Sequence, residues 1–260
     1  MGTDRKVALV TGGGSGIGEA SALALARNGS DVVLIDIRQP DLERVAEAIR
    51  ATGREVLPLV CDVGDDVGMA AAFEQVGQRF GRLDQVLVNA GINGMWAPIE
   101  EMTPAEWDTT IRVNLRGSYL TVHHAVPLMQ ADGGSIVIIS SINGTRTFTT
   151  AGATAYSVTK AGQFAMGQML AMELSRFRIR VNVICPGSIK THIGDRTWRR
   201  KTDEAKVPAV FPDGTIPLTR SSKGPLPDEI AKTVAFLCSD DAQHITGTPI
   251  YIDGAQSLLI

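Results

Sequence analysis

The sequence predicts a single α/β domain built on a doubly wound parallel sheet of about seven strands, with helices on both faces. Three observations carry this prediction. Short runs rich in β-branched residues alternate with longer helical stretches, most of these runs are apolar throughout, and a glycine-rich turn joins the first run to the first helical stretch. Continuously apolar strands are typical of parallel sheets that helices cover on both sides.

Strands and helices alternate along the whole chain, and several helix ends carry recognisable signals. Gly29 and Gly53 each follow a helical stretch and favour its termination, whereas Thr103 with Glu106 is the pattern of a helix start. The predicted strands are residues 7–11, 32–36, 56–62, 85–89, 135–141, 181–185 and 249–253. The predicted helices are residues 17–28, 41–52, 66–80, 104–129, 156–177 and 228–238.

A length of 260 residues suits one large domain or two small ones. The chain contains no linker, repeat or low-complexity tract, so we expect residues 1–260 to form one domain. The irregular exception is the segment 188–226, which contains several prolines and glycines. A connection of this length usually has a function, and this one follows a strand at the carboxyl edge of the sheet, where open α/β folds bind ligands. We therefore interpret 188–226 as a substrate loop or lid.

The composition argues against several classes of partner. The net charge is −3, and the chain has no obvious basic face of the kind that nucleic-acid binding needs. The one cationic cluster consists of Arg196, Arg199, Arg200 and Lys201, and we interpret it as a solvated loop. No apolar run approaches the roughly 18 residues of a membrane span. The sequence thus predicts neither a nucleic-acid nor a membrane partner.

The cysteines and histidines give no sign of a disulfide or a metal site. Cys61, Cys185 and Cys238 are far apart and form no C-x-x-C pair, and the four histidines lack metal-ligand spacing. Reduced thiols of this kind, together with the absence of a signal-peptide pattern, fit a cytoplasmic protein. We therefore expect a cytoplasmic location and no bound metal.

The glycine-rich turn after the first predicted strand contains Gly12, Ser15 and Gly16, and Ile17 and Gly18 follow at the start of the next helix. Glycine permits positive φ and lets the backbone approach a ligand closely. The start of a helix offers unpaired N–H groups and a partial positive charge, which together favour a pyrophosphate. Because the turn lies between a strand and a helix, it predicts a Rossmann-type dinucleotide site.

Asp36 ends the second predicted strand, at the position that distinguishes between dinucleotides. A carboxylate there can accept hydrogen bonds from the adenosine ribose hydroxyls and repels a 2′-phosphate. The residue before Gly16 is Ser15, which offers no positive charge to such a phosphate. The predicted cofactor is therefore NAD rather than NADP. The alternative is that Asp36 only caps a turn.

Tyr156 and Lys160 lie four residues apart at the start of a predicted helix, and therefore on one helical face. A free phenol has a pKa of about 10, which makes it a poor base at neutral pH. A close ammonium and the positive charge of an oxidised nicotinamide would favour the phenolate and lower that pKa. Tyr156 is thus a candidate general base in oxidation and general acid in reduction.

Two further polar residues outside this helix are candidates for the same site. Ser141 ends an apolar strand at the carboxyl edge of the sheet, where its hydroxyl can donate to a substrate oxygen as charge develops. A turn-forming role is the alternative for this serine. Asn114 lies inside a predicted helix, where asparagine is unfavourable, so a kink, a held water or surface exposure must explain it.

With these residues in this order, the chain resembles the classical short-chain dehydrogenase/reductases over nearly its whole length. The resemblance rests on an ordered set of motifs, each only moderately specific by itself. The gap between Ser141 and Tyr156 is slightly longer than in many relatives, which leaves Ser140 as an alternative to Ser141. The set comprises Thr11-Gly12 with Gly16-Ile17-Gly18, Asp62-Val63, Asn89-Ala90-Gly91, Asn114, Ser141, Tyr156 with Lys160, and Pro186-Gly187 with Thr191.

The resemblance implies a role for each matching position. Tyr156 would donate and accept the proton, Lys160 would hold the nicotinamide ribose and lower the tyrosine pKa, and Ser141 would orient the substrate oxygen. Asn114 would support a water that links Lys160 to solvent. The cofactor contacts predicted from residue chemistry or from the resemblance are Gly12, Ser15, Gly16, Ile17, Gly18, Asp36, Asp62, Val63, Asn89, Ala90, Gly91, Lys160, Pro186, Gly187, Ile189 and Thr191.

The expected reaction is NAD-dependent hydride transfer between nicotinamide and a secondary alcohol or ketone, such as a sugar, polyol, hydroxysteroid-like or acyl-chain substrate. The predicted substrate contacts are Ser141, Asn143, Trp96 and Trp198, with Trp198 on the lid and Trp96 on the opposite wall. Two other functions stay open. One is a catalytically idle dinucleotide-binding sensor or scaffold, and the other is an epimerase or dehydratase that uses NAD transiently.

A homotetramer is also predicted. The predicted helices 104–129 and 156–177 carry more apolar surface than one sheet face needs, and the sequence ends in the apolar run Leu258-Leu259-Ile260. The resemblance implies the same assembly, because these segments commonly form subunit contacts in the family.

Overall fold

The structure is a computed structural model that describes residues 5–206 and 226–258. Its strands are β1 (Val7–Thr11), β2 (Asp31–Asp36), β3 (Val56–Val60), β4 (Gln85–Val88), β5 (Gly94–Trp96), β6 (Gly134–Ile139), β7 (Ile179–Pro186), β8 (Thr197–Arg199) and β9 (Pro249–Ile252). Within these described residues, seven strands form one sheet in the order β3-β2-β1-β4-β6-β7-β9. Every neighbouring pair in this sheet is parallel, which confirms the predicted doubly wound fold.

Helices cover both faces of the sheet. They are α1 (Gly16–Arg27), α2 (Gln39–Arg50), α3 (Asp66–Phe80), α4 (Pro104–Ile111), α5 (Gly117–Met129), α6 (Thr154–Glu173) and α7 (Pro227–Leu237). Alternate residues of β1 belong to separate cores. Val7 and Leu9 pack with α3, α5 and α6, whereas Ala8 and Val10 pack with α1, α2 and α7. The continuous apolar runs of the sequence therefore reflect burial on both sides.

The long helix predicted over residues 104–129 is interrupted. A capping box between Thr103 and Glu106 starts α4, as the sequence predicts. A π-helical turn, Arg112–Arg116, then separates α4 from α5. π turns inside helices are frequent at functional sites, and this one contains Asn114, so the unfavourable asparagine marks a local change of helix geometry.

A second, two-stranded parallel sheet joins β5 to β8, and the sequence did not predict it. Its strand β8 lies in the described part of the predicted lid, whereas residues 207–225 of that segment lie outside the described residues. Arg200 forms an ion pair with Glu106 at 2.8 Å, and Lys201 forms one with Glu101 at 2.7 Å. The Arg200 and Lys201 side chains are 35% and 49% exposed, so they are solvated as interpreted, and their ion pairs also dock the segment beside the start of α4.

In the described part of the chain, no helix combines the length and the apolar character that a membrane crossing requires.

Candidate active site

The site lies where the sheet changes winding direction. Strand β1 has β2 on one side and β4 on the other, so the connections after β1 and β4 leave on opposite faces and open a crevice at the carboxyl ends. A cavity of about 320 Å³ lies in this crevice. Ser141 and Tyr156 line it together with all but one of the predicted cofactor contacts: Gly12, Ser15, Gly16, Ile17, Asp36, Asp62, Val63, Asn89, Ala90, Gly91, Lys160, Pro186, Gly187, Ile189 and Thr191.

The exception is Gly18, which has a packing role. A Cβ atom on Gly18 would lie 2.0 Å from the carbonyl oxygen of Gly12, so helix α1 can approach the turn only because this side chain is missing. Gly12 and Gly16 have φ values of 67° and 56°, in the left-handed region that favours glycine. The turn thus offers a bare backbone at the start of α1, and that donor set fits the pyrophosphate of a dinucleotide.

Thr11 and Asn89 tie together the ends of the two strands that flank the crevice. The Asn89 amide nitrogen donates to the carbonyl oxygen of Thr11 at 3.0 Å. The backbone N–H groups of Asn89 and Ala90 donate to the Thr11 hydroxyl at 3.0 and 3.2 Å. Asn89 therefore fixes the shape of the cavity wall, in addition to lining it.

Asp36 both lines the cavity and holds the turn. Its carboxylate accepts from the backbone N–H of Gly14 at 3.1 Å and from that of Arg38 at 3.2 Å. The turn-capping alternative is therefore present alongside the position expected for ribose recognition. Arg38 pairs with Asp41 at 2.8 Å, so the cation nearest in sequence is engaged by another carboxylate.

Asp62 is oriented by a residue that sequence reasoning missed. Arg112 donates to the Asp62 carboxylate at 2.8 Å and itself lines the cavity. The backbone N–H of Gly64 donates to the other carboxylate oxygen at 2.9 Å. Since Arg112 belongs to the π turn, that turn supplies residues to the site at both its start and its centre.

Tyr156 is the third residue of α6 and is buried on the cavity floor beside Ser141. Burial raises the pKa of Tyr156, while a hydrogen bond with the Ser141 side chain acts in the lowering direction. The sequence argument expected a lowered pKa in the presence of two cations. In this structure Lys160 is not among the causes that shift the Tyr156 pKa. Both serines line the cavity, but the Ser140 hydroxyl donates to the carbonyl oxygen of Lys160 at 2.7 Å, so Ser141 stays the predicted catalytic serine.

Lys160 is a buried ammonium without a carboxylate partner among its recorded contacts. Its Nζ lies 5.6 Å from the centre of the Tyr156 ring. It donates to the carbonyl oxygen of Ile139 at 2.9 Å and to Oε1 of Gln163 at 2.8 Å. Burial lowers the pKa of Lys160 to about 8, since charge is disfavoured away from water.

Asn114 lies beneath the cavity floor and is completely buried, which excludes surface exposure as its explanation. Its side-chain oxygen accepts from the backbone N–H of Ile92 at 2.8 Å. Its amide nitrogen donates to the Ile92 carbonyl at 2.9 Å and to the Thr159 hydroxyl at 3.1 Å. Asn114 therefore fastens the connection after β4 to helix α6.

Gln163 is the second residue that sequence reasoning missed. It accepts from Lys160 Nζ and donates to the carbonyl oxygen of Asn114 at 2.9 Å. Its position three residues after Lys160 puts it on the same helical face, but the sequence alone does not distinguish it from an ordinary helical glutamine.

The other predicted substrate residues lie outside this cavity lining. Trp96 and Trp198 are on β5 and β8, adjacent strands of the small sheet, so the expected opposite walls are not formed. The guanidinium of Arg199 lies 4.9 Å from the centre of the Trp96 ring, and the Trp198 side chain is 53% exposed. Asn143 accepts a hydrogen bond from Thr150 at 3.0 Å within its own loop. A substrate contact by any of the three stays a prediction.

Known proteins share this fold over their full length. The family model described as Enoyl-(Acyl carrier protein) reductase matches residues 12–255. The levodione reductase of Leifsonia aquatica is 36% identical over 258 residues, which cover 98% of this chain and 95% of that protein. The crystal structure of a 3-ketoacyl-ACP reductase from Sinorhizobium meliloti 1021 has 47% sequence identity and a TM-score of 0.91, covering 98% of this chain and 100% of that chain.

A further solved structure contains a cofactor. It is a 3-ketoacyl-(acyl-carrier-protein) reductase from Brucella melitensis complexed with NADH, with a TM-score of 0.83 and 31% identity over 97% of this chain and 98% of that chain. The fold and these relatives define an oxidoreductase that acts on CH–OH groups. More particularly, the chain belongs to the short-chain dehydrogenase/reductase family.

Proposed function

We propose that this protein is an NAD-dependent dehydrogenase or reductase of secondary alcohols and ketones, with Tyr156 as its general acid and base. The observation that carries the proposal is the meeting of Tyr156, Ser141 and Lys160 on the floor of a cavity that also contains the glycine turn and Asp36. The bound nicotinamide would supply the hydride acceptor or donor. In the oxidative direction, the carbinol C–H bond breaks with its electron pair, the O–H proton passes to Tyr156, and a C=O bond forms.

The protein residues have separate tasks in this proposal. Ser141, which lines the cavity together with Tyr156, orients the substrate oxygen beside the phenol. Lys160 supplies the ammonium that favours the phenolate and holds the nicotinamide ribose. Asn114 fixes the backbone of Ile92 next to the cavity, so that the floor keeps its shape during turnover.

The preference for NAD rests on Asp36 and on the engagement of Arg38. A 2′-phosphate would meet the Asp36 carboxylate, and the nearby Arg38 is paired with Asp41. The similar Brucella melitensis protein was solved with NADH, which supports the same choice. A cytoplasmic location belongs to this proposal as well, supported by the unpaired thiols of Cys61, Cys185 and Cys238.

The substrate is proposed only as a class. The relatives are named as reductases of levodione and of 3-ketoacyl groups, which favours a ketone such as an acyl-chain ketone over a sugar. The presence of all four expected catalytic residues argues against an idle sensor. Net formation of NADH would argue against an epimerase or dehydratase, because those enzymes return the hydride to their substrate.

The proposal is tested by absorbance of NADH with a panel of secondary alcohols and ketones, each tried with NAD and with NADP. Tyr156→Phe should keep NADH binding but lower turnover by at least about 100-fold, because it loses the acid–base group. Tyr119→Phe is the matched control, since Tyr119 is half-exposed on α5 and away from the cavity. A Tyr156→Phe enzyme that retained more than a few per cent of turnover would exclude Tyr156 as the acid–base group.

A further inference from the structure

Gln163 has every polar group of its side chain engaged inside the protein. It lies on α6 and is 1% exposed. Its Oε1 accepts from Lys160 Nζ at 2.8 Å, and its Nε2 donates to the Asn114 carbonyl oxygen at 2.9 Å and to the Ser118 hydroxyl oxygen at 2.7 Å. A buried amide with complete hydrogen bonding has a fixed position, because rotating it would leave polar groups unpaired.

The orientation of this amide follows from its neighbours. An ammonium can only donate, so the atom facing Lys160 must be the oxygen. A carbonyl can only accept, so the atom facing Asn114 must be the nitrogen. The two ends of the amide are therefore determined by partners of opposite character, and exchanging them would break both bonds.

The Gln163 amide oxygen is one of the few groups that stabilise the buried charge of Lys160. The titratable groups that face the ammonium are Tyr156 on its own helix and Cys185 at the end of β7. Among the described residues, the Lys160 ammonium bonds to the Ile139 carbonyl and the Gln163 amide oxygen and to no carboxylate, so amide and carbonyl dipoles must stabilise its buried charge. Two of its three N–H donors are used, by Ile139 and by Gln163. One donor is left for the cavity.

We infer that Gln163 is a positioning residue for the proposed active site: its amide joins the Lys160 ammonium directly to the Asn114 carbonyl and thereby sets the direction of the remaining Lys160 donor. The sequence resemblance implied that Asn114 acts on Lys160 through a water, whereas the Gln163 amide bonds directly to both residues. The inference rests on the proposed function only for the role of Lys160 beside the cofactor and Tyr156. The hydrogen bonds of Gln163 themselves do not depend on that role.

The direct test is the titration of Lys160 in the whole protein. The enzyme is labelled with ¹³C at the lysine ε carbon, and the Lys160 resonance is identified by its absence in Lys160→Met. Gln163→Met keeps the length of the side chain but removes the acceptor, so the midpoint of the Lys160 titration should fall by about one pH unit. Gln163→Glu keeps an acceptor and adds negative charge, so the midpoint should rise.

Ser118→Ala is the matched control. It removes one of the two acceptors of the Gln163 amide nitrogen but leaves the contacts of Gln163 with Lys160 and Asn114 in place. Its Lys160 midpoint should stay within about 0.3 pH units of the wild type, a small fraction of the shift expected for a lost bond to a charged group. Thermal unfolding of each variant checks that the fold is retained.

A purely structural role for Gln163 predicts lower thermal stability in Gln163→Met with no change in the Lys160 midpoint, and that result would overturn the inference. If Gln163→Met does not fold, an unchanged or lowered midpoint in Gln163→Glu overturns it equally. Titration does not require turnover, so a failed search for alcohol substrates would count against the proposed function alone.

NADH binding, followed by NADH fluorescence, should weaken in Gln163→Met and stay unchanged in Ser118→Ala. Equal NADH affinities in the two variants would contradict the assigned position.

Discussion

Single residues in this site are defined by what they bond to, and their partners lie far away in the sequence. Asn114 and Gln163 are 49 positions apart, and Asp62 and Arg112 are 50 positions apart. The residue types at Tyr156, Lys160 and Asn114 could be recognised in the sequence, because their spacing and their unusual places within elements were informative. The contribution of Gln163 could not, since a glutamine in a helix is ordinary until its partners are known.

The first residue-level prediction concerns Asp36 and the choice between NAD and NADP. Asp36→Asn removes the charge and keeps one side-chain oxygen, so it can retain one of the two bonds that Gly14 and Arg38 now make to separate Asp36 oxygens. The ratio of kcat/KM for NAD over that for NADP should fall at least tenfold, about 1.4 kcal/mol, because a 2′-phosphate no longer meets a like charge. Steady-state kinetics with both cofactors measures this. Glu43→Gln, at an exposed site on α2, should leave the ratio unchanged; the prediction fails if wild type already uses NADP equally well.

Among the elements, the long buried strands could be predicted and the short paired ones could not. The inner strands β1, β4 and β7 have apolar runs that are buried on both faces, whereas the edge strands β3 and β9 are only partly buried. Strands β5 and β8 have three residues each and pair across about a hundred positions, Gly94 with Thr197. Neither run is long enough to show the two-residue alternation of a strand, so both were predicted to be loop.

The docking of β8 on α4 leads to a second prediction. Glu106 caps α4 and also pairs with Arg200, and these contacts lower its pKa from 4.5 to about 2. A lowered carboxyl pKa means that the stabilisation is complete above pH 4.5 and is lost as the pH falls toward 2. Near neutral pH, Glu106→Gln should therefore speed hydrogen exchange at the Arg200 amide, which donates to the Trp96 carbonyl.

Asp203→Asn is the control for that experiment. Asp203 is exposed in the same segment and pairs with Lys206, without contact to α4. Equal exchange rates at Arg200 in the Glu106→Gln and wild-type proteins would show that the ion pair does not hold the segment. The broader prediction that 188–226 closes over substrate stays open. If the segment closes, NAD plus substrate should change the hydrogen-exchange protection of residues 189–196, which precede β8.

The molecule as a whole presents an apolar surface that a single copy leaves in water. On α6, Met169 and Met172 are 71% and 80% exposed, and Tyr119 on α5 and Leu258 near the C-terminus are also exposed. Large exposed apolar residues on neighbouring elements are typical of protein interfaces. The predicted homotetramer would cover them through a second copy of the chain.

Sedimentation velocity at micromolar concentration tests the assembly. The wild type should sediment as a tetramer, and the double variant Met169→Lys with Met172→Lys should dissociate, because burying two unpaired ammonium groups is costly. Val67→Lys changes an equally exposed residue on α3 and should leave the assembly unchanged. A wild-type protein that is a stable monomer would refute the prediction.

The close approach of Gly18 to the Gly12 carbonyl affects how natural variants of this protein should be interpreted. Gly18 has no place in the cavity lining, yet even alanine there would press a methyl group into the turn. Under the proposed function, Gly18→Ala should weaken dinucleotide binding through displacement of α1, although no residue of the cavity lining changes. Gly29, which has open space around its missing Cβ, is constrained only by its φ of 98°. Substitutions at these two glycines would thus act through different physical causes, a steric clash at Gly18 and backbone strain at Gly29.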